Sequence, residues 1–125
     1  MPSGEGFTDS QVREISRAAA RAGAQSGLHF SVYVGDRDQA GRDWAERLHT
    51  ALGAAAPRAV LLAVSPEDRT LEVVTGDVAA RRLDDRTCGL AALSMTTAFA
   101  VGDLLGGITT GLQMLASAAG AAPAD

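Results

Sequence analysis

Four aspartates in the second half of the chain could hold a cation. Asp77 follows a Thr-Gly pair, Asp84 and Asp85 come a few residues later, and Asp103 follows Gly102. Hard cations such as Ca²⁺ take about six to eight oxygen ligands, mostly from carboxylates and loop carbonyls. The pattern therefore predicts a candidate metal site made of these four carboxylates. The structural alternative is that Asp84 caps a helix while the others are solvated.

Asp36 and Asp38 form a second candidate loop, which follows a predicted strand and precedes a predicted helix. Backbone N–H groups at such a helix start can hold an anion. Neither of the phosphate-binding motifs GxGxxG and GxxxxGK[ST] occurs, and the two carboxylates would repel phosphate. The default interpretation of this loop is a turn with a helix N-cap.

The residue types of nucleophilic catalysis are present without their usual arrangement. His29 and His49 fall on different predicted elements with no metal-ligand spacing, and Ser65 lacks a nucleophile elbow. Cys88 lies on an apolar helical line, where cysteine behaves as a small hydrophobic residue. The sequence therefore favours a non-catalytic protein.

The elements that position these residues centre on a hairpin from Val60 to Asp77. Residues 59–64 are apolar without alternation, which is typical of a strand covered on both faces. The short loop 65–69 contains Pro and Asp and favours an antiparallel return. Residues 71–75 alternate, which indicates a more exposed strand. Antiparallel pairing puts Asp36 and Asp77 at opposite ends of the sheet.

Helices surround this hairpin. Thr8 and Gln11 form a capping-box pattern for a first helix, and residues 28–34 alternate as a first strand. Trp44, Leu48 and Leu52 define a second helix. Further helices are predicted from Asp84 to about Ala100 and from Leu104 to Leu115. We expect the first of these helices to bury two apolar lines, namely Leu90, Leu93 and Thr97, and Cys88, Ala91, Met95 and Phe99.

This order predicts an α/β fold, a three-layer α/β/α sandwich with a small mixed sheet. Strand 1 is parallel to strand 2, because a helix links them through a right-handed crossover, and strands 2 and 3 form the antiparallel hairpin. The glycines of the final helix, Gly107 and Gly111 among them, favour close helix contact. We expect a single domain at residues 7–118, with flexible tails at 1–6 and 119–125.

Composition narrows the classes of partner. The chain has 15 acidic residues against 11 basic ones, all of them arginine. A net negative domain is a poor nucleic-acid binder, because neutralising phosphates needs a basic face. We expect no membrane span, since the apolar region after Cys88 is interrupted, and no signal peptide is visible. One cysteine cannot form an internal disulfide, so we expect a cytoplasmic protein.

Several segments resemble the TPM domain family. They are the strand LHFSVYVG, the helix WAERLHTAL, the hairpin AVLLAVSPEDRTLEVVTGD, the segment RRLDD and the helix start FAVGDLLGGITTGLQML. The chain looks most like a soluble actinobacterial branch of that family labelled only as a domain of unknown function. The resemblance implies a Rossmann-like sandwich. Because relatives in that family bind Ca²⁺ through loop carboxylates or act as acid phosphatases, it also implies one of these two functions. Asp77, Asp84, Asp85 and Asp103 are the matching acidic positions.

The leading hypothesis is a non-catalytic binding or accessory module with an unknown protein partner, binding Ca²⁺ through its loop carboxylates. One alternative is a metal-assisted acid phosphatase, in which a carboxylate-bound cation polarises a phosphoryl oxygen. Another is a helix-face protein-interaction module, in which the glycine-spaced final helix buries a second copy of the chain.

Overall fold

The computed structural model describes residues 7–36 and 38–122. Its elements are, in chain order, α1 (Asp9–Ser26), β1 (His29–Val34), α2 (Arg42–Thr50), a 3₁₀ helix (Gly53–Arg58), β2 (Ala59–Ser65), β3 (Thr70–Thr75), α3 (Asp77–Ala80), α4 (Asp85–Ala100) and α5 (Leu104–Ala119). The predicted α/β architecture is confirmed. The 3₁₀ helix and α3 were not predicted, because six and four residues are too short to show a hydrophobic period.

The sheet has the strand order β1-β2-β3. β1 is parallel to β2, with Val34 beside Val64, and β2 is antiparallel to β3, with Val64 beside Leu71. Every residue of β2 is buried, as its continuous apolar run predicts. The strand is therefore the centre of the sheet, and β1 and β3 are its edges.

Helices cover both faces of the sheet. Residues of α1, α4 and α5 share one core with Phe30, Val60, Leu62 and Val64. On the other face, α2 packs Trp44 and Ala45 against Leu61 and Ala63. Since neighbouring residues of β2 point to opposite faces, one strand contributes to both cores.

The predicted helix starts are confirmed. The Thr8 hydroxyl accepts the N–H of Gln11 at 3.1 Å, and the Gln11 side chain accepts the N–H of Thr8 at 2.9 Å. This reciprocal pair satisfies two of the backbone donors that a helix start leaves unpaired. At its other end α1 stops at Gly27, whose φ of 80° lies in the left-handed region that favours glycine.

One part of the α4 prediction is wrong. Ala91, Met95 and Phe99 are buried as expected, but Leu90 and Leu93 are 54% and 63% exposed. The two predicted lines lie on different sides of the helix, and the core of the sandwich covers only one of them. Leu90, Leu93 and Thr97 therefore lie on the outer surface of α4.

Gly107 and Gly111 lie inside the contact between α4 and α5. A Cβ at Gly107 would lie 3.0 Å from the Cβ of Ala98, and one at Gly111 would overlap the Met95 side chain. This confirms the close helix contact. It also means that the glycine face of α5 is covered within the chain and cannot bury a second copy.

Residues 1–6 and 123–125 of the predicted flexible tails lie outside the described residues. Residues 119–122 are hydrogen-bonded. Arg82 donates to the carbonyls of Ala119, Gly120 and Ala121 at 2.9, 3.2 and 3.0 Å, and the Ala122 N–H donates to Gln25 at 2.8 Å. Arg82 thus satisfies carbonyls that the end of α5 leaves unpaired. Within the described ranges, no helix combines the length and the apolar character that crossing a membrane requires.

Candidate functional site

The sheet register separates the predicted acidic loops. The Gly35 N–H, just after β1, donates to Val64 at 2.8 Å, whereas the Gly76 N–H, just after β3, donates to Ala59 at 3.0 Å. Val64 and Ala59 lie at opposite ends of β2. Asp36 and Asp38 therefore lie at one end of the sheet and Asp77 at the other, as antiparallel pairing predicts.

Two of the predicted ligands cap helices. Asp84 Oδ1 accepts the Thr87 N–H at 2.8 Å at the start of α4, and Asp103 Oδ1 accepts the Gly106 N–H at 3.0 Å at the start of α5. The hydrogen bonds from Thr87, with a smaller contribution from Arg86, lower the pKa of Asp84 below its ordinary value. The contacts of Asp84 are therefore those of a helix cap, which was the structural alternative to a metal ligand.

The length of α4 keeps Asp103 away from Asp84 and Asp85. The helix has 16 residues, which corresponds to about 24 Å. Arg69, in the β2–β3 turn, donates to the Ala100 carbonyl at 3.3 Å, so the end of α4 lies beside that turn. Across residues 7–36 and 38–122, no group of three or more His, Cys, Asp or Glu side chains could hold a metal ion. The structure does not bring the four carboxylates together.

The remaining predicted residues lie in the loop after β1 and along α4. The Asp36 N–H donates to the Gln39 side chain at 2.7 Å, and Asp38 has a φ of 72°. Asp85 and Cys88 line a cavity of about 390 Å³ between β3 and α4, together with Arg42. Burial of Cys88, with smaller contributions from Asp85 and Asp84, raises the pKa of its thiol. A raised thiol pKa opposes thiolate formation and therefore nucleophilic chemistry.

A groove of about 550 Å³ between α1 and β1 was not predicted. Residues 28–32 and Val34 line one side of it. The α1 side consists of small and aliphatic residues, namely Val12, Ile15, Ser16, Ala19, Ala20, Gly23 and Ala24. The signal in the sequence is the repeat of small residues at 16, 19–20 and 23–24, which places a narrow helix face beside an edge strand.

Solved structures share the fold. The BA42 protein of the psychrophilic bacterium Bizionia argentinensis superimposes with a TM-score of 0.73 at 18% identity, covering 91% of this chain and 81% of that one. The N-terminal domain of the cg2496 protein of Corynebacterium glutamicum gives a TM-score of 0.72 at 16% identity, covering 96% and 82%. At these identities the likeness shows the mixed α/β fold alone.

The chain belongs to the family described as Domain of unknown function (DUF5130), whose profile matches residues 1–116. The assignment to the TPM family is therefore wrong. Its motifs were an alternating strand, a hairpin around a buried strand and a Gly-Asp break between two helices. Such features are typical of this topology in general, so they predicted the fold correctly but not the family.

Curated relatives come from mycobacteria. The uncharacterized proteins Rv2468c and MT2543 of two Mycobacterium tuberculosis strains are each 36% identical over 98 residues, which cover 77% of this chain. The match spans 56% of each relative, so this chain corresponds to about half of their length.

Proposed function

We propose that this domain is a non-catalytic protein-binding module whose groove between α1 and β1 holds an extended peptide. The observation that carries the proposal is the position of the groove, which runs along the edge of β1 that faces away from β2. An edge strand presents backbone N–H and C=O groups on its open side, and an added strand can pair with them.

The groove lining indicates the chemistry of the peptide. Of the side chains that line it, His29 is the one basic residue, and the others are aliphatic, aromatic or small. Val12 is 42% exposed at the rim, so it offers apolar contact area that the fold leaves in water. A peptide with alternating aliphatic residues and no charge facing α1 fits this lining, because strand addition places alternate side chains on the same face.

The separation of the carboxylates favours peptide binding over a metal-dependent function. Ca²⁺ coordination and metal-assisted phosphate hydrolysis both need several oxygens around one ion. Asp103 lies a helix length from Asp84, and both already cap helices. The phosphatase alternative and the Ca²⁺ prediction therefore gain no support from the placement of these residues.

Selection from a random peptide library displayed on phage tests the proposal. We expect enriched peptides to alternate aliphatic residues and to shift the backbone amide resonances of His29–Val34 in ¹⁵N-labelled protein. The variant Ala20→Arg should abolish binding, because Ala20 is exposed and lines the groove.

Ala51→Arg is the matched control, since Ala51 is also exposed but follows α2 on the opposite face of the sheet. Peptides that bind Ala20→Arg as tightly as the wild type, or that shift amides only outside α1 and β1, would rule out the groove.

A further inference from the structure

The outer face of α4 has the spacing of a helix-pairing surface. Arg86, Leu90, Leu93, Thr97 and Ala100 follow one another at intervals of four and three residues, and all are exposed. This is the spacing with which a coiled-coil helix meets its partner. We call these five residues the α4 seam. Its two leucines are among the most exposed large apolar side chains in the described part of the chain.

The surface around the α4 seam carries almost no charge. Residues 87–102 and 104–122 contain no Asp, Glu, Lys or Arg, so Asp103 is the one charged residue between Arg86 and Ala122. Designed soluble surfaces are typically about 25–35% charged. Between Arg86 and Asp103, burial of this face would therefore desolvate no ion, and this stretch of two identical copies carries no like charges that would repel.

α5 packs beside α4 and runs antiparallel to it. Gly107 lies against Ala98 and Gly111 against Met95, which sets the antiparallel register of the two helices. The same register puts Met114 level with Ala91, one residue from Leu90. Met114 is 37% exposed, so the outer surface of α5 also carries an apolar side chain at this level.

We propose that two copies of this chain associate through the α4 seam, with their α4 helices antiparallel about a two-fold axis. Charge complementarity selects this partner and this direction. Arg86 and Asp103 have opposite signs and stand at opposite ends of α4. A parallel pairing would put Arg86 against its own copy, whereas an antiparallel pairing puts Arg86 beside Asp103 of the second copy.

The charge pair selects the register of the two helices. When Leu93 faces Thr97 of the second copy, Leu90 faces Ala100. One turn further, Arg86 extends past Ala100, the last residue of the second α4, towards the turn that holds Asp103. Arg86 then also lies at the C-terminal end of the second α4, where the helix dipole favours a cation. The two-fold axis repeats each contact, so the interface has two Leu93–Thr97 contacts, two Leu90–Ala100 contacts and two charge pairs.

Sedimentation velocity over a range from low micromolar to near-millimolar protein tests the proposal. We expect a reversible monomer–dimer equilibrium for the wild type. Leu93→Glu should weaken the dimer at least about tenfold, because it places two like charges near the axis. Its matched control is Val12→Glu, since Val12 is an exposed apolar residue of α1 outside the seam. This control should dimerise like the wild type.

The charge pair has its own test. Arg86→Glu should weaken the dimer several-fold at low salt, because it opposes Asp103 of the second copy. Adding Asp103→Asn should restore part of the affinity, since asparagine keeps the helix cap and removes the repulsion. Circular dichroism of each variant checks that the fold is intact.

Each outcome decides the proposal. A wild type that stays monomeric at every concentration, or a dimer that Val12→Glu breaks and Leu93→Glu leaves intact, would overturn it. An Arg86→Glu dimer as tight as the wild type would overturn the antiparallel arrangement. Because the seam and the peptide groove share no residue, failure of one proposal leaves the other standing.

Discussion

Replacing Gly76 with alanine tests how tightly the end of β3 packs on the 3₁₀ helix. Gly76 is buried, and its φ of −75° and ψ of 173° are open to any residue. The conformational freedom of glycine therefore does not explain its presence. A Cβ there would overlap the Ala56 carbonyl oxygen and lie 2.6 Å from the Pro57 oxygen. Since both are backbone atoms, they can move only if the 3₁₀ helix moves.

The size of the effect follows from this overlap. Forcing an extra carbon into a packed site costs about 1–3 kcal/mol, and the rigid backbone neighbours put Gly76→Ala at the upper end. Reduced freedom of the unfolded chain offsets this by about 0.4–1 kcal/mol. We expect a net loss of about 2 kcal/mol. With a urea m-value of about 2 kcal/mol/M, the midpoint of unfolding falls by about 1 M.

Gly89→Ala is the matched control. Gly89 is exposed within α4, and a Cβ there meets nothing within 4 Å, so the change should stabilise the protein by about 0.5–1 kcal/mol. Both variants are compared by urea unfolding in the Leu93→Glu background, because association would otherwise add to stability. Equal midpoints for the two alanine variants would refute the steric argument.

Two further predictions concern the helix ends. The Asp84 cap lowers the pKa of that carboxyl on folding. The stability that this carboxylate contributes is therefore present above the unfolded pKa of about 3.9 and is lost as pH falls through the folded pKa. The difference in unfolding free energy between the wild type and Asp84→Asn, measured in urea, should shrink below about pH 4. Arg82→Met keeps the side-chain stem but removes the donors to the end of α5. It should lower the free energy of unfolding by about 1–3 kcal/mol and speed amide hydrogen exchange at Ala122. Unchanged exchange at Ala122 would contradict the role given to Arg82.

Local chemistry made much of the fold predictable. The Thr8 and Asp84 caps could be predicted because each capping side chain accepts a backbone N–H from the residue three positions later. The central position of β2 was readable because a strand covered on both faces needs no polar alternation. These features depend on neighbours in sequence, so one sequence suffices to find them.

The errors and omissions depend on contacts distant in sequence. Periodicity found the apolar line through Leu90 and Leu93 but could not show that no other part of the described chain covers it. Arg82 reaches carbonyls about 37 residues away, a pairing without a local pattern. The proximity of Asp77 to Asp84 in sequence predicted a shared ion, although strand direction and helix length decide whether carboxylates meet.

The two proposed surfaces are compatible in one assembly. α1 packs beside β1, α4 packs beside β3, and α5 lies between the two helices. The α1–β1 groove and the α4 seam therefore lie towards opposite edges of the sheet. A dimer formed through α4 would leave both grooves open on its outer sides, so one assembly could hold two extended segments of a partner. When two such segments belong to one molecule, the second binds at a high effective concentration, and a weak groove then gives a tight complex.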